Sequence, residues 1–267
     1  MQRFLGLFLH ELGMALRRKG LWIAYGLLFL FHTVLLFSPP PLGEMVEGEV
    51  ISRSEAWPVA GRFLLAVNVF FPVVAGILSA DRMQRDVRLG LRELQESTLL
   101  SRPVYVLAKY LAALASCLLP LFLWVMAIPA AMIAIGHAPA DMLLAVPVAF
   151  LAITVPAFAF VVAFSLACPM VMPSSVYQIL FTGYWFWANF IPPELFPTLN
   201  GTLLTPSGIF AVQAFFGGPA SPASRGAGQY TPADALLNLA VLGLCIAGIL
   251  LLLERFLQRQ QRQGRRA

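Results

Sequence analysis

Residues 111–135 read LAALASCLLPLFLWVMAIPAAMIAI, 25 positions without a single charge. A helix crossing the hydrocarbon core of a bilayer needs about 20 mostly apolar residues. This run meets that length, and it is apolar on every face of a helix, which suits a lipid surroundings rather than a half-solvated one. Five other runs share the character: 21–37, 63–80, 142–168, 176–191 and 235–256. The run at 142–168 is long enough to tilt or kink, and the one at 176–191 is short and rich in aromatic residues. Pro72, Pro120, Pro129, Pro147 and Pro156 fall inside these runs. Spanning helices tolerate proline because neighbouring helices satisfy the freed carbonyl, and kinks are expected there.

The whole chain agrees with this reading. Of its 267 residues 59% are hydrophobic and 12% charged. Soluble domains average about 45–50% and about 25%. The mean hydropathy is +0.79. These values exclude a soluble enzyme, a disordered chain, a collagen and a disulfide scaffold. Cys117, Cys168 and Cys245 sit in or beside apolar runs, with no CxxC and no metal-ligand spacing. They read as small residues in helix packing.

The charges give an orientation. Fifteen of the 18 Lys and Arg lie before the first run, between the second and third, or from Arg255 at the end of the sixth onward. The other three, Arg53, Arg62 and Arg225, fall in the opposite set of loops. Positive residues stay on the cytoplasmic side. The expectation is therefore an all-α polytopic membrane protein with six transmembrane helices and both termini cytoplasmic. Residues 38–62 agree, with Glu44, Glu47, Glu49 and Glu55 against two Arg, and 136–141 holds no Lys or Arg. The net charge of +5 is then a topology signal, not a nucleic-acid footprint, since no nucleic-acid-binding motif accompanies it. The 19-residue charged lead and the Ser38-Pro39-Pro40-Pro41 sequence after the first run argue for an uncleaved span rather than a signal peptide.

Three segments stand outside the spans. In residues 1–19, Phe4, Leu5, Phe8, Leu12 and Leu16 recur at helical spacing, with Arg3, Glu11, Arg17, Arg18 and Lys19 elsewhere or at the end. An amphipathic interfacial helix fits this pattern, and a cytoplasmic extension of the first span is the other reading. Residues 81–110 hold ten of the chain's 31 charges. Met83, Val87, Leu91 and Leu94 form an apolar stripe there, while Arg85, Arg88 and Arg92 stand within helical reach of Asp86, Glu93 and Glu96. This reads either as a solvated helix resting on headgroups or as a docking helix for a cytoplasmic partner. Residues 192–232 carry seven prolines, yet 203–216 is strongly apolar and too short to span. That stretch is re-entrant or lies in the outer interface, and 217–232 reads as a flexible connector.

The run Gly90-Leu91-Arg92-Glu93, then Ser97-Thr98, Ser101-Arg102, and Lys109 at the opening of the third span resembles the ABC-2 type permease family. Leu91, Leu99 and Ala108 depart from the Thr, Pro and Gly usual there, and the Leu99 change leaves the end of the docking helix open. The motif covers about 20 residues, while the layout of interfacial helix, six spans and large last outer loop covers the chain. The resemblance implies the membrane subunit of an ATP-driven exporter, a dimer of permeases (two copies, or two related chains) that meets a cytoplasmic ABC ATPase subunit. It implies short re-entrant helices in the last outer loop. ATP and Mg would be bound by the ATPase, with no cofactor on this chain. Arg85, Arg92, Glu93 and Glu96 are the expected docking contacts, and Gly90, Ser101, Arg102 and Lys109 the matched motif positions. Localisation in a bacterial-type inner (plasma) membrane follows from the same resemblance.

No P-loop, HExxH, GxSxG or paired intramembrane carboxylate occurs, so no catalytic or metal-binding residue is assigned. His10, His32 and His137 are dispersed. His32 is an ionisable residue inside a span, which marks either a functional site or packing against a neighbour. Asn68 reads as an interhelical hydrogen-bonding residue before a substrate contact. Tyr177, Phe181, Tyr184, Trp185, Phe186, Trp187 and Phe190 crowd the fifth run. They form an aromatic belt with packing, or they wall a path for an apolar or amphipathic substrate; with His32 and Asn68, the residues Tyr184, Trp185 and Trp187 are the candidates for that path. The spans carry no deep acid, which argues against an ion-coupled carrier, and no inverted repeat is visible. Two other classes stay open: a non-transporting membrane anchor or assembly factor, and, less favoured, a membrane-embedded enzyme.

Overall fold

The structure is a computed structural model that describes residues 2–36, 50–88, 101–193, 195–217 and 230–264. The acidic residues Glu44, Glu47 and Glu49, the stretch from Gly90 to Glu96, Ser97, Thr98 and Leu99, most of the connector expected at 217–232, and Arg265 and Arg266 lie outside the described residues. Among the described residues the chain is helical and has no strand.

Helix α1 covers Gln2–Leu16, and α2 covers Lys19–Leu36. A 3-10 turn at Arg53–Glu55 leads into α3, Ala56–Ser79, and α4 follows at Arg82–Arg88. Helix α5 is Arg102–Ala134, and α6 runs over Met142–Met170. Then come α7 at Ser174–Phe190, α8 at Ile209–Phe216 and α9 at Pro232–Gly264. Each of the six apolar runs is helical. Four helical stretches are long and apolar enough to cross a membrane: Arg53–Asp86, Arg102–Ala134, Met142–Met170 and Pro232–Gln260. This makes the chain a membrane protein. Helix α7 has 17 residues, which at 1.5 Å each rise about 26 Å, short of the roughly 30 Å hydrocarbon core. The apolar stretch of α2, Lys19–Leu35, is similarly short.

Local chemistry sets several boundaries. Helix α5 starts at Arg102, nine residues ahead of its apolar run, because Ser101 is extended and Pro103 occupies the first turn. Lys109 therefore lies within the helix. Helix α9 opens on a capping box: the Thr231 amide and hydroxyl donate to the Asp234 carboxylate at 2.8 and 2.7 Å, and the Asp234 amide donates to Thr231 Oγ1 at 3.3 Å. Inside α6, residues Phe150–Thr154 form a π turn immediately before Pro156. Proline cannot donate to the preceding turn and its ring crowds that carbonyl, so the helix widens there.

Helix α3 is the hub, touching α2, α6, α7 and α8. Of its apolar window 61% is buried, against 17% for α9. Gly61 lets α8 approach α3, since a Cβ there would sit 2.7 Å from Phe216 Cβ. Gly208 has φ +92°, and a Cβ on it would meet Ile153 Cγ2 at 2.5 Å. Glycine thus answers both the left-handed backbone and the close approach. The apolar stretch expected at 203–216 becomes a turn followed by α8, whose Ile209, Phe210, Ala211, Val212 and Phe216 are buried.

The ends of the bundle differ. At one end Ile51 N donates to His137 O at 3.0 Å and Arg53 pairs with Asp141 at 2.5 Å. At the other lie α1, α4, the turn near Pro169 and the basic end of α9, where Gln84 Nε2 donates to Pro169 O and, at 2.8 Å, to Met172 O.

Replacing Gly61 with Val should lower thermal stability by about 1–3 kcal/mol through overpacking. Gly183→Ala, where a Cβ meets nothing within 4 Å, should leave the melting temperature within a degree or two of wild type. Size-exclusion thermostability in detergent reads both.

Candidate functional site

A charged cluster occupies the end of the bundle that holds α1 and α4. Lys109 of α5 has 4% of its side chain exposed. Its Nζ pairs with Glu11 of α1 at 2.9 Å and with Asp86 of α4. Those carboxylates are 13% and 12% exposed, so two carboxylates share one lysine largely out of water. The Tyr105 hydroxyl donates to Asp86 Oδ2 at 2.5 Å, and Lys109 Nζ stands 5.6 Å from the centre of the Tyr105 ring. Buried Arg82 donates from Nη2 to Ser116 Oγ at 2.9 Å. Arg18 pairs with Asp81 at 3.3 Å. Between these groups runs a crevice of about 350 Å³ with Arg17 and Arg85 on its wall.

This geometry corrects two expectations. Glu11 was expected off the packed stripe of the first helix; it faces inward to Lys109. Asp86 was expected to pair with arginines along its own helix; it is buried against Lys109 and Tyr105. The cause is the same in each case: a lysine carried inside on α5 demands carboxylates. A signal was present, because Glu11 is the first acid of the chain and the next is Glu44. Tyr105 and Lys109, four apart, share a face of α5.

Of the expected docking residues only Arg85 is described; it is exposed and lines the crevice. Arg92, Glu93, Glu96 and Gly90 lie outside the described residues. Ser101 and Arg102 stand at the exposed start of α5, and Lys109 lies two turns on, in the cluster.

A second polar node lies within the helices. Asn68 is fully buried, and its Nδ2 donates to Ile153 O in the π turn at 3.2 Å and to Ser207 O at 3.0 Å. Interhelical bonding is thus its observed role. Asn68 Oδ1 and Thr154 Oγ1 are buried without a protein partner among the described residues. Asn238 of α9 reaches the same segment, donating to Leu203 O and Thr205 O at 2.9 and 3.1 Å.

The other path candidates are dispersed around α3. His32 is buried, with Nδ1 3.0 Å from Leu28 O and its ring against Phe70, Phe71 and Trp124. Trp185 has no exposure and donates from Nε1 to Val69 O at 3.0 Å. Trp187 donates to Pro197 O at 3.1 Å. Tyr184 borders an apolar cleft of about 300 Å³ between α6 and α7, lined also by Phe160, Phe164, Tyr177, Leu180 and Phe181. Among the described residues no group of three or more His, Cys, Asp or Glu gathers at metal-binding distance.

Comparison with known protein families, with curated proteins and with solved structures finds no match.

Lys109→Met alone leaves two buried carboxylates unneutralised and should cost about 3–5 kcal/mol. The triple change Lys109→Met/Glu11→Gln/Asp86→Asn should recover most of that loss. Thermal unfolding of the purified proteins in one detergent tests the pair, and equal losses in the single and triple variants would remove the charge explanation.

Proposed function

We propose that the chain is the transmembrane permease subunit of an ABC-2 type exporter, driven by ATP hydrolysed on a separate cytoplasmic ATPase. The observation that carries this reading is the Lys109 cluster. It ties α4, which leads into the 89–100 segment, to α5, which leaves it, and it adds α1 to both. A coupling loop needs such rooting: a push on the loop then moves whole helices rather than bending a tether. The motif positions Gly90, Ser101, Arg102 and Lys109 bracket the same segment.

In this reading the α1 and α4 end faces the cytoplasm, both termini lie inside, and α2 and α7 join the four longer helices as the first and fifth of six spans. Short spans are accommodated by local thinning of the bilayer. The basic residues of the crevice and of α9 then obey the positive-inside rule, and α8 is the re-entrant element at the outer side. Two permeases, identical or related, meet two ATPases. Arg92, Glu93 and Glu96 contact a groove on the ATPase, with Arg85 at the root of the contact. ATP and Mg stay on the ATPase. An apolar or amphipathic substrate passes along the dimer interface, beside Tyr184 and the aromatic wall of α7, in a bacterial-type inner membrane.

Affinity purification in mild detergent from native membranes, through a tag after residue 267, should co-elute a P-loop ATPase in stoichiometric amount. Glu93→Arg/Glu96→Arg should abolish that co-elution while leaving the permease in the membrane. A complex that survives intact without any ATPase would sink the transporter reading and bring forward a membrane anchor or assembly factor.

A further inference from the structure

We infer that the crevice between α1, α4 and α5 is a binding site for a phosphoryl anion, carried by the headgroup of an anionic phospholipid. The site goes beyond the transporter reading and needs no ATPase partner. Five cations line it, Arg17, Arg18, Arg82, Arg85 and Lys109, beside two carboxylates, Glu11 and Asp86. Both carboxylates are already committed to Lys109, and Arg18 is committed to Asp81. The five cations exceed Glu11, Asp86 and Asp81 by two charges, and Arg17, Arg82 and Arg85 are the ones outside an ion pair among the described residues. Arg17 and Arg85 have no carboxylate within 4.0 Å among the described residues. Arg82 is 6% exposed, and its Nε has no hydrogen-bond partner. A buried cation with an unused donor is costly unless an anion answers it.

The planar guanidinium fork suits phosphate oxygens, and Arg17 beside α1 and Arg85 on α4 offer one from each side of the crevice, with the unused Arg82 Nε beside them. The volume of about 350 Å³ admits a phosphoglycerol headgroup but not acyl chains. An acyl chain would meet Met14, which is exposed on the crevice wall. Apolar side chains beside arginines are what the headgroup boundary of a bilayer accommodates. A soluble phosphate would use the same donors without the apolar rim.

The test uses the purified full-length protein in a neutral detergent. Native mass spectrometry counts retained phosphatidylglycerol against phosphatidylcholine, and thermal unfolding is followed with each lipid and with inorganic phosphate at matched ionic strength. Wild type should retain phosphatidylglycerol in preference, and Arg17→Gln/Arg85→Gln should bind it about tenfold more weakly or worse. These two arginines are exposed, so the variant keeps the fold. Arg255→Gln/Arg259→Gln removes the same charge from the same end and should keep the preference. Stabilisation by inorganic phosphate equal to that by phosphatidylglycerol, and lost in the first variant alone, would uphold the phosphoryl site and assign it to a soluble anion. Equal losses in the two double variants, or no response to either phosphate source, would overturn the site.

Discussion

A lysine with 4% of its side chain exposed has to be answered by negative charge, and the two carboxylates that answer Lys109 belong to two other helices. One buried cation therefore decides where three elements sit. Helix α1 is held against α5 through Glu11, and α4 is held there through Asp86. The ion pairs add to an apolar hold made by Ala15 of α1 and Met83 of α4, since α1 leaves Leu5, Leu9 and Met14 exposed and α4 is seven residues long. An isolated helix of that length is marginal in water. Deleting one partner costs more than the pair is worth, because the remaining charges stay buried. The cluster is thus a registry device as much as a source of stability.

The same demand for internal satisfaction governs the apolar interior. Backbone groups in a lipid environment have no water to bond, so each irregular segment needs a donor from its neighbours. The π turn of α6 and the bend at 199–208 are two such segments, and Asn68 serves both with one amide. Asn238 serves the bend from α9, and Thr205 Oγ1 donates to Leu199 O at 2.5 Å within it. Gly208 then lets the bend press against Ile153. At Thr205, Pro206 and Ser207 the non-helical backbone is buried in protein, a setting in which such backbone is tolerated at membrane depth.

The helices were legible because apolar runs about 20 residues long have one physical explanation in a chain with so few charges. Their ends were less legible. Arg102 opens α5 nine residues before the apolar run, since Ser101 and Pro103 set the start and hydropathy does not. Asn68 was readable as an interhelical donor, but its acceptors were not: Ile153 and Ser207 are 85 and 139 residues away, and only the fold brings them together. The charged site was half legible. Lys109 stood out by position, while Glu11 was read as part of a solvated face. Helical periodicity assigns a lone acid to water by default, and it cannot see a buried lysine some hundred residues later that reverses the assignment.

Helix α3 connects the two polar nodes. At one end it passes into α4 and the Lys109 cluster; in its middle it carries Asn68, and near its start Gly61 receives α8. A displacement of α4 along its axis reaches Asn68 through α3, and the Asn68 amide holds the π turn and the 199–208 bend at 3.2 and 3.0 Å. The π turn and the 199–208 bend must therefore follow α3 or release it. Packed interfaces behave in this two-state way rather than deforming continuously. The single asparagine is what makes the linkage: with leucine at 68 the helices would still pack, but the bend and the π turn would lose their shared hold on α3.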